Sequence, residues 1–184
     1  MVVQHKFQTF WPRFWAGLID SAVFIPLVGL DWLIQKSISV PAILALWFLF
    51  YTLSFDIYSV VLHAKYGQTV GKMATGIRVL SLSEGQLTLR QAVLRDIVPI
   101  LFSLMSLVFW LPRIIQGENS YGETSALTWV DEVAIFGSLI WFAVELATML
   151  TNQKRRAIHD FIAGSVVVRV ERAARVVPPD AADA

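Results

Sequence analysis

Residues 12–20 read PRFWAGLID and open the first long apolar run of the chain. Arg13 stands where a helix would enter a bilayer, and Asp20 follows inside the apolar part. A spacing of seven residues is close to two helical turns, so both side chains lie on one helix face, about 10 Å apart along the axis. A central carboxylate costs a membrane helix about 2.5–3.5 kcal/mol on insertion scales. Asp20 therefore predicts either a transport or binding role, or a structural bond to a neighbouring helix.

The composition places the chain among membrane proteins. Of its 184 residues, 56% are hydrophobic and only 16% are charged, and the mean hydropathy is +0.61. The hydrophobic fraction and the mean hydropathy exceed those of a soluble domain of this length, and the charged fraction is lower. The absence of cysteine excludes a disulfide scaffold and thiolate metal or redox chemistry. We expect an integral membrane protein that has the lipid bilayer as its surroundings, no cofactor and no nucleic-acid partner.

Four apolar runs are long enough to cross a bilayer as helices. They cover about residues 14–34, 41–63, 97–115 and 131–150. A polar and aromatic cytoplasmic lead, residues 1–12, precedes them, and the tail of residues 171–184 has no apolar period, so we expect it to be disordered. The predicted fold class is an all-α polytopic membrane protein with four transmembrane helices in one domain, residues 13–170.

The distribution of basic residues predicts the orientation. Thirteen of the fifteen lysines and arginines lie in residues 1–13, 64–96 and 151–175, and the other two are Lys36 and Arg113. Because cytoplasmic loops carry the excess of lysine and arginine, both termini are predicted to be cytoplasmic.

The cytoplasmic segment between the second and third spans carries its own pattern. Residues 66–76 are rich in glycine and amphipathic, which suits an interfacial segment. Residues 77–82 favour a strand, residues 83–85 a turn, and residues 86–89 alternate again, so the pattern predicts a small cytoplasmic β-hairpin. Residues 164–170 offer a third strand.

Several of these motifs occur together in one known family. They are Arg13 and Asp20, GQTVGK at 67–72, GIRV at 76–79, Leu94-Arg95 and RAIHDFIAG at 156–164. In this order, over about residues 10–170, they resemble the RDD family of bacteria and archaea, which is named for one arginine and two aspartates. By position these are Arg13, Asp20 and Asp160. The resemblance implies a multi-pass protein of the cell (inner) membrane of a prokaryote. It also implies ligand transport, with cation–proton exchange proposed for some members.

A faint internal repeat also runs through the chain. Residues 68–79 align with 156–167 at an offset of 88, and residues 16–20 align with 92–96 at an offset of 76. We interpret this as two parallel copies of a helix, helix and inner motif, related by an axis along the membrane normal. The alternative is chance similarity between short apolar strings. In the repeat, Lys72 and Asp160 are equivalent and of opposite charge, so they are predicted to pair.

Three acidic residues lie at a similar depth in the predicted spans. Asp20, Asp56 and Glu145 fall roughly 7–11 Å inside the cytoplasmic boundary. We predict that they line one polar cavity, closed by supporting residues of the inner motifs: Lys72, Arg78, Arg95 and His159. The alternative is a static salt-bridge cluster that ties the helices to the interfacial segments.

The histidines do not indicate an enzyme. His159 and Asp160 are adjacent, so on a helix they face different ways, and no nucleophile context accompanies them. No histidine pair has the i,i+4 spacing of a metal site. His63 ends a span, where a polar residue at the membrane interface is ordinary. We therefore expect neither an enzyme nor a metal site.

Two classes of function fit these observations. The first is a small transporter of cations or another small ligand with proton coupling, whose candidate site residues are Arg13, Asp20, Asp56, Glu145 and Asp160. The second is a non-transporting membrane adaptor or regulator, whose basic inner surface binds anionic lipid head groups or a cytoplasmic protein partner. Because four helices make a thin wall around a pathway, transport predicts a homo-oligomer.

Overall fold

The computed structural model describes residues 6–118 and 127–170. The elements in chain order are α1 (Phe10–Ser37), α2 (Pro41–Tyr66), α3 (Val70–Ala74), β1 (Ile77–Ser81), α4 (Leu89–Arg95), α5 (Ile97–Ile115), α6 (Trp129–Thr151), α7 (Ile158–Ile162) and β2 (Ser165–Arg169). Helices α1, α2, α5 and α6 are long and apolar enough to cross a membrane. The predicted four-span, mostly helical fold is confirmed. The tail of residues 171–184 lies outside the described residues.

The chain has two distinct ends. The connection between α1 and α2, the C-terminus of α5 and the N-terminus of α6 lie at one end, which we call the loop end. At the other end lie the short helices α3, α4 and α7 and the two strands, and we call this the sheet end. Almost all charged contacts between elements described below occur at or near the sheet end.

The small sheet joins segments that are far apart in the sequence. Strands β1 and β2 pair antiparallel, with Val79 opposite Val167, and both valines are fully buried. The predicted strand near residues 164–170 is therefore correct, but the predicted hairpin partner at residues 86–89 is wrong. A turn does form, since Ser81 N donates to Gly85 O at 2.9 Å. Thr88 then begins α4 instead of a strand.

Thr88 begins a helix because it completes a capping box. Its Oγ1 accepts from Gln91 N at 3.2 Å, and Gln91 Oε1 accepts from Thr88 N at 3.1 Å. These bonds satisfy backbone groups that a helix N-terminus otherwise leaves without partners.

Thr88→Ala is expected to lower the free energy of unfolding by about 1 kcal/mol, because it removes the N-cap of α4. Chemical unfolding in detergent, followed by tryptophan fluorescence, measures the change. Ser83→Ala, which removes an exposed turn hydroxyl, is the control. An equal effect of the two variants would contradict a capping role for Thr88.

Backbone conformation supports the internal repeat at the sheet end. Gly76 and Gly164, which are 88 residues apart, precede β1 and β2 with positive φ angles of 66° and 61°. Gly67 and Arg155, also 88 apart, precede α3 and α7 with φ angles of 67° and 49°. Left-handed backbone is uncommon, and for arginine it is an exception. Its recurrence at one offset indicates a common local structure.

Hydrogen bonds repeat at the same offset. Gln68 Nε2 donates at 2.8 Å to the carbonyl of the first residue of β1, and Arg156 Nε donates at 2.9 Å to the carbonyl of the first residue of β2. The central pair of the sheet, Val79 and Val167, is separated by 88 residues as well. A local two-fold axis therefore passes through the sheet and relates the two helix-and-strand motifs.

Candidate functional site

Asp20 is held by three hydrogen bonds at the sheet end. One carboxylate oxygen accepts from Tyr58 Oη at 2.7 Å and from Gly71 N at 2.7 Å, and the other accepts from Thr69 Oγ1 at 2.6 Å. The residue is 5% exposed. These contacts join α1 to α2 and to the start of α3. They correspond to the structural bond that the sequence offered as one alternative for Asp20.

Asp160 lies between two arginines. Its Oδ2 accepts from Arg13 Nη1 at 2.7 Å and from Ala157 N at 3.0 Å, and its Oδ1 accepts from Arg95 Nη1. Asp160 is fully buried. Although burial opposes ionisation, Arg95 and Arg13 hold the pKa of Asp160 well below its ordinary value. The arginine and the second aspartate of the predicted trio thus meet directly and join α1, α4 and α7.

Glu145 and His159 extend this group to α6. His159 Nδ1 bonds to Glu145 Oε1, and His159 Nε2 lies 2.7 Å from Arg95 Nη2. Because an arginine only donates, Nε2 accepts, and Nδ1 carries the proton that it donates to Glu145. We call Arg13, Arg95, Glu145, His159 and Asp160 the Asp160 cluster.

The predicted pairing of Lys72 with Asp160 is wrong. Both carboxylate oxygens of Asp160 are occupied by arginines, and the structure describes no ion pair for Lys72 among residues 6–118 and 127–170. Lys72 Nζ instead lies 3.5 Å from Thr69 Oγ1. Burial lowers the pKa of Lys72 to about 8, and the nearby charge of Arg95 acts in the same direction.

Arg78 supports the sheet end in a different way. Its Nε donates to Tyr66 O at 3.1 Å, at the last residue of α2, while most of the side chain stays exposed. It holds a helix C-terminus rather than closing a cavity, which is a common position for a basic residue.

A second polar group lies between α2 and α5. Asp56, Ser59 and His63 share one face of α2 and are 7%, 6% and 2% exposed. Asp96, at the start of α5, accepts from Ser59 Oγ at 2.5 Å and lies 3.8 Å from His63 Nδ1. Ser103, two turns further along α5, lies close to Asp56. We call Asp56, Ser59, His63, Asp96 and Ser103 the polar seam.

Two buried atoms of the polar seam have no hydrogen-bond partner among the described residues: Asp56 Oδ2 and His63 Nε2. Ser59 Oγ lies 3.2 Å from His63 Nδ1 and gives its own proton to Asp96, so Nδ1 is the donor in this contact. In a neutral imidazole, Nε2 then presents a lone pair. Each of the two atoms can therefore accept one proton without losing a hydrogen bond to a described residue.

Asp96 remains ionised beside this histidine. Burial opposes its ionisation, but the nearby His63, the hydrogen bond from Ser59 and the charge of Arg95 lower the pKa of Asp96 below its ordinary value. The polar seam therefore contains a fixed negative charge close to His63.

Comparison with known families identifies the chain. The model of the RDD family matches residues 7–164, a range that includes Arg13, Asp20 and Asp160. The chain belongs to the RDD family. With its four apolar helices, it is a multi-pass membrane protein. No match was found among curated proteins or among solved structures.

The prediction that Asp20, Asp56 and Glu145 of this RDD protein share one cavity is wrong. Asp20 faces Thr69 and Gly71, Asp56 faces α5, and Glu145 belongs to the Asp160 cluster. Asp56 and Tyr58, the partner of Asp20, are two residues apart on α2, so they point to different faces of the helix. The alternative of a static salt-bridge cluster fits Glu145, which bonds to His159 of α7.

The polar seam of the RDD protein is not among the features predicted from the sequence. His63 is predicted as an interfacial residue, whereas it is almost fully buried. The spacing of Asp56, Ser59 and His63, at i, i+3 and i+7, was the available signal, because it places all three on one face of α2. Among the described residues, no group of three acidic or histidine side chains is placed to hold a metal ion.

Proposed function

We propose that this RDD protein is a small transporter of cations or another small ligand with proton coupling, and that its polar seam binds the proton. The observation that carries the proposal is the pair of buried atoms that have no partner in the described part of the chain, Asp56 Oδ2 and His63 Nε2, on one helix face. Ionisable groups inside membrane helices are costly and commonly belong to proton relays.

Asp56 is a better carrier than Asp20. The carboxylate of Asp20 accepts three hydrogen bonds, so a proton there would have to displace a donor. One oxygen of Asp56 has no donor within residues 6–118 and 127–170, so protonation there breaks no bond to these residues. Arg13, a predicted site residue on the same helix face as Asp20, pairs with Asp160 instead.

The polar seam runs from a point inside the α2 span to the sheet end, which is the connection that a proton path has to make. Asp56 lies within the span of α2, whereas Asp96 and the end of α2 near His63 lie at the sheet end. The residues between them are joined by the bonds of Ser59 to Asp96 and to His63. Protonation of Asp56 removes a buried negative charge facing Asp96, so binding and release of a proton alter the electrostatics between α2 and α5.

The same proposal includes an orientation and an assembly. The excess of lysine and arginine at the sheet end supports a cytoplasmic sheet end with cytoplasmic termini, in the inner membrane of a prokaryotic cell. Four spanning helices enclose little space, which supports a homo-oligomer as the transporting unit.

Proteoliposomes test the transport proposal. A sodium or potassium gradient is imposed, and a pH-sensitive dye inside the vesicles reports proton movement. Wild type is expected to move protons against the cation gradient, whereas Asp56→Asn is expected to fall to the leak of empty vesicles. The amide keeps the shape of the carboxylate and removes its titration.

A control variant and matched samples make this result specific. Glu84→Gln, which changes only an exposed ion pair with Lys6, serves as the control and should retain wild-type flux. All variants are matched for insertion and for thermal unfolding. Wild-type flux from Asp56→Asn would reject the polar seam as the proton path, and no flux from wild type under any gradient would reject transport.

The adaptor alternative retains one supporting observation. At the sheet end, Lys65, Arg78, Arg90 and Lys154 are exposed. Arg156, which the sequence included in this basic surface, instead donates to Asp160 O at 2.8 Å and to Ser165 O, and it stacks on Phe161. Exposed cations near a bilayer attract anionic lipid.

If the basic surface binds anionic lipid, the unfolding temperature of the protein should be higher in nanodiscs that contain phosphatidylglycerol than in neutral nanodiscs. Lys154→Gln should reduce that difference.

A further inference from the structure

A cavity lies between the spanning helices toward the loop end, away from the Asp160 cluster. This cavity has a volume of about 750 Å³ and is lined by residues from all four spanning helices. Small-molecule sites are commonly clefts of roughly 300–1,000 Å³. Thr52 and Ser106 line it, and they lie one helical turn from Asp56 and Ser103 respectively. The cavity therefore adjoins the polar seam.

The cavity is negatively charged. Asp31 of α1 and Asp131 of α6 both line it, and its lining within residues 6–118 and 127–170 includes no lysine, arginine or histidine. A tryptophan indole orients each carboxylate: Trp47 Nε1 donates to Asp31 at 2.8 Å, and Trp110 Nε1 donates to Asp131 at 3.1 Å. An indole donates a hydrogen bond but brings no positive charge. The cavity consequently has a field that favours a cation.

Aromatic rings form much of the wall. They belong to Phe24, Phe48, Tyr51, Phe55 and Trp110. Ring faces attract cations, most effectively where water is excluded, and aromatic walls are the usual surroundings of organic ammonium groups in proteins. A bare metal ion instead requires a compact shell of about six oxygen ligands. Size and wall chemistry together favour an organic cation.

Gln35 adds an independent indication of a ligand. It is 7% exposed, it lines the cavity, and its Nε2 has no hydrogen-bond partner among the described residues. A buried amide donor without a partner is costly, and a ligand that supplies an acceptor removes that cost. Gln35 also lines a smaller cavity with Lys36 and Glu118 at the loop end, so it stands between the two spaces.

We propose that this cavity binds a small organic ammonium ion that carries a hydrogen-bond acceptor. The field of Asp31 and Asp131 and the aromatic wall hold the cationic group, and Gln35 donates to the acceptor. The proposal goes beyond the transport proposed above. If the ammonium ion binds but no flux is observed, the binding proposal stands and the transport proposal falls. If inorganic cations are transported but the ammonium ion does not bind, only the binding proposal falls.

Choline is a suitable probe because it has a fixed positive charge and one hydroxyl. Isothermal titration calorimetry is performed on the purified full chain in maltoside detergent. Choline is compared with 3,3-dimethylbutan-1-ol (dimethylbutanol), its neutral carbon isostere, and with tetramethylammonium, which lacks the hydroxyl. Choline is expected to bind at least about tenfold more tightly than dimethylbutanol, because only choline gains from the carboxylates and ring faces. Equal affinity for the two, or no heat from choline, overturns the proposal.

Variants then assign the two parts of the site. Asp31→Asn keeps an acceptor for Trp47 and removes the charge, so choline affinity should fall at least about tenfold. Gln35→Leu should weaken choline by about fivefold and leave tetramethylammonium unchanged, since only choline offers an acceptor. Glu84→Gln is the control for both. If Asp31→Asn does not fold, the Gln35→Leu variant and the comparison of choline with dimethylbutanol on wild type still test the proposal. Unchanged choline affinity in a folded Asp31→Asn or Gln35→Leu variant overturns the assignment.

Discussion

Asp160→Asn is expected to lower the free energy of unfolding by about 3–5 kcal/mol, the usual result of removing one partner from a buried ion pair. The substitution leaves the guanidinium groups of Arg13 and Arg95 buried without their shared carboxylate. It also weakens the contacts between α1, α4 and α7, since all three meet at this side chain. Urea unfolding in detergent, followed by tryptophan fluorescence, measures the loss.

The control is an ion pair of similar length on the surface. Lys6 Nζ lies 3.1 Å from Glu84 Oε1, but the two side chains are 39% and 71% exposed. Glu84→Gln should change the free energy of unfolding by less than about 1 kcal/mol, because water screens exposed pairs. Similar losses from Asp160→Asn and Glu84→Gln would show that burial does not strengthen the Asp160 cluster.

The effect of Asp160 should also depend on pH. Its pKa in the folded protein lies well below the ordinary value. Its contribution to stability is therefore fully present above the unfolded pKa of about 3.9 and is lost as the pH falls through the folded pKa. The stability difference between wild type and Asp160→Asn should be constant from about pH 5 to pH 8 and should shrink below about pH 4. A difference that shrinks near pH 7 would contradict this assignment.

The sequence predicts the spans well because a bilayer imposes length and composition on every crossing helix. It also predicts that residues 164–170 contain a strand. It misplaces the partner of β1, because residues 86–89 carry both an alternating pattern and a capping box. The local bonds of Thr88 and Gln91 favour the helix.

The site is harder to predict because its chemistry depends on contacts between distant segments. Asp20 and Asp56 look alike in the sequence, since each is a carboxylate in an apolar run. They differ in what faces them: Thr69 and Gly71 satisfy Asp20, whereas no described residue donates to one oxygen of Asp56. Depth along a helix is readable from the sequence, but the direction of each side chain toward a partner is fixed by packing.

Gly71→Ala is expected to lower the free energy of unfolding by about 3 kcal/mol, at the upper end of the usual cost of overpacking. A Cβ at position 71 would lie 2.1 Å from Ala16 O and 2.9 Å from Asp20 Cγ. The obstacle at Ala16 is the backbone of α1, so α3 must move away. That movement lengthens the 2.7 Å bond from Gly71 N to Asp20 and exposes a buried carboxylate oxygen.

Gly17→Ala is the matched control for this contact. It adds the same methyl group to α1, one residue from Ala16, but no atom lies within 4 Å of the added Cβ. Because alanine also favours helix over glycine by up to about 1 kcal/mol, stability should be unchanged or slightly raised. Unfolding of both variants in detergent, with hydrogen exchange over residues 69–76, separates the outcomes. Faster exchange there in Gly71→Ala alone would show that the close approach of α3 to α1 holds the Asp20 contacts together, whereas equal behaviour would exclude it.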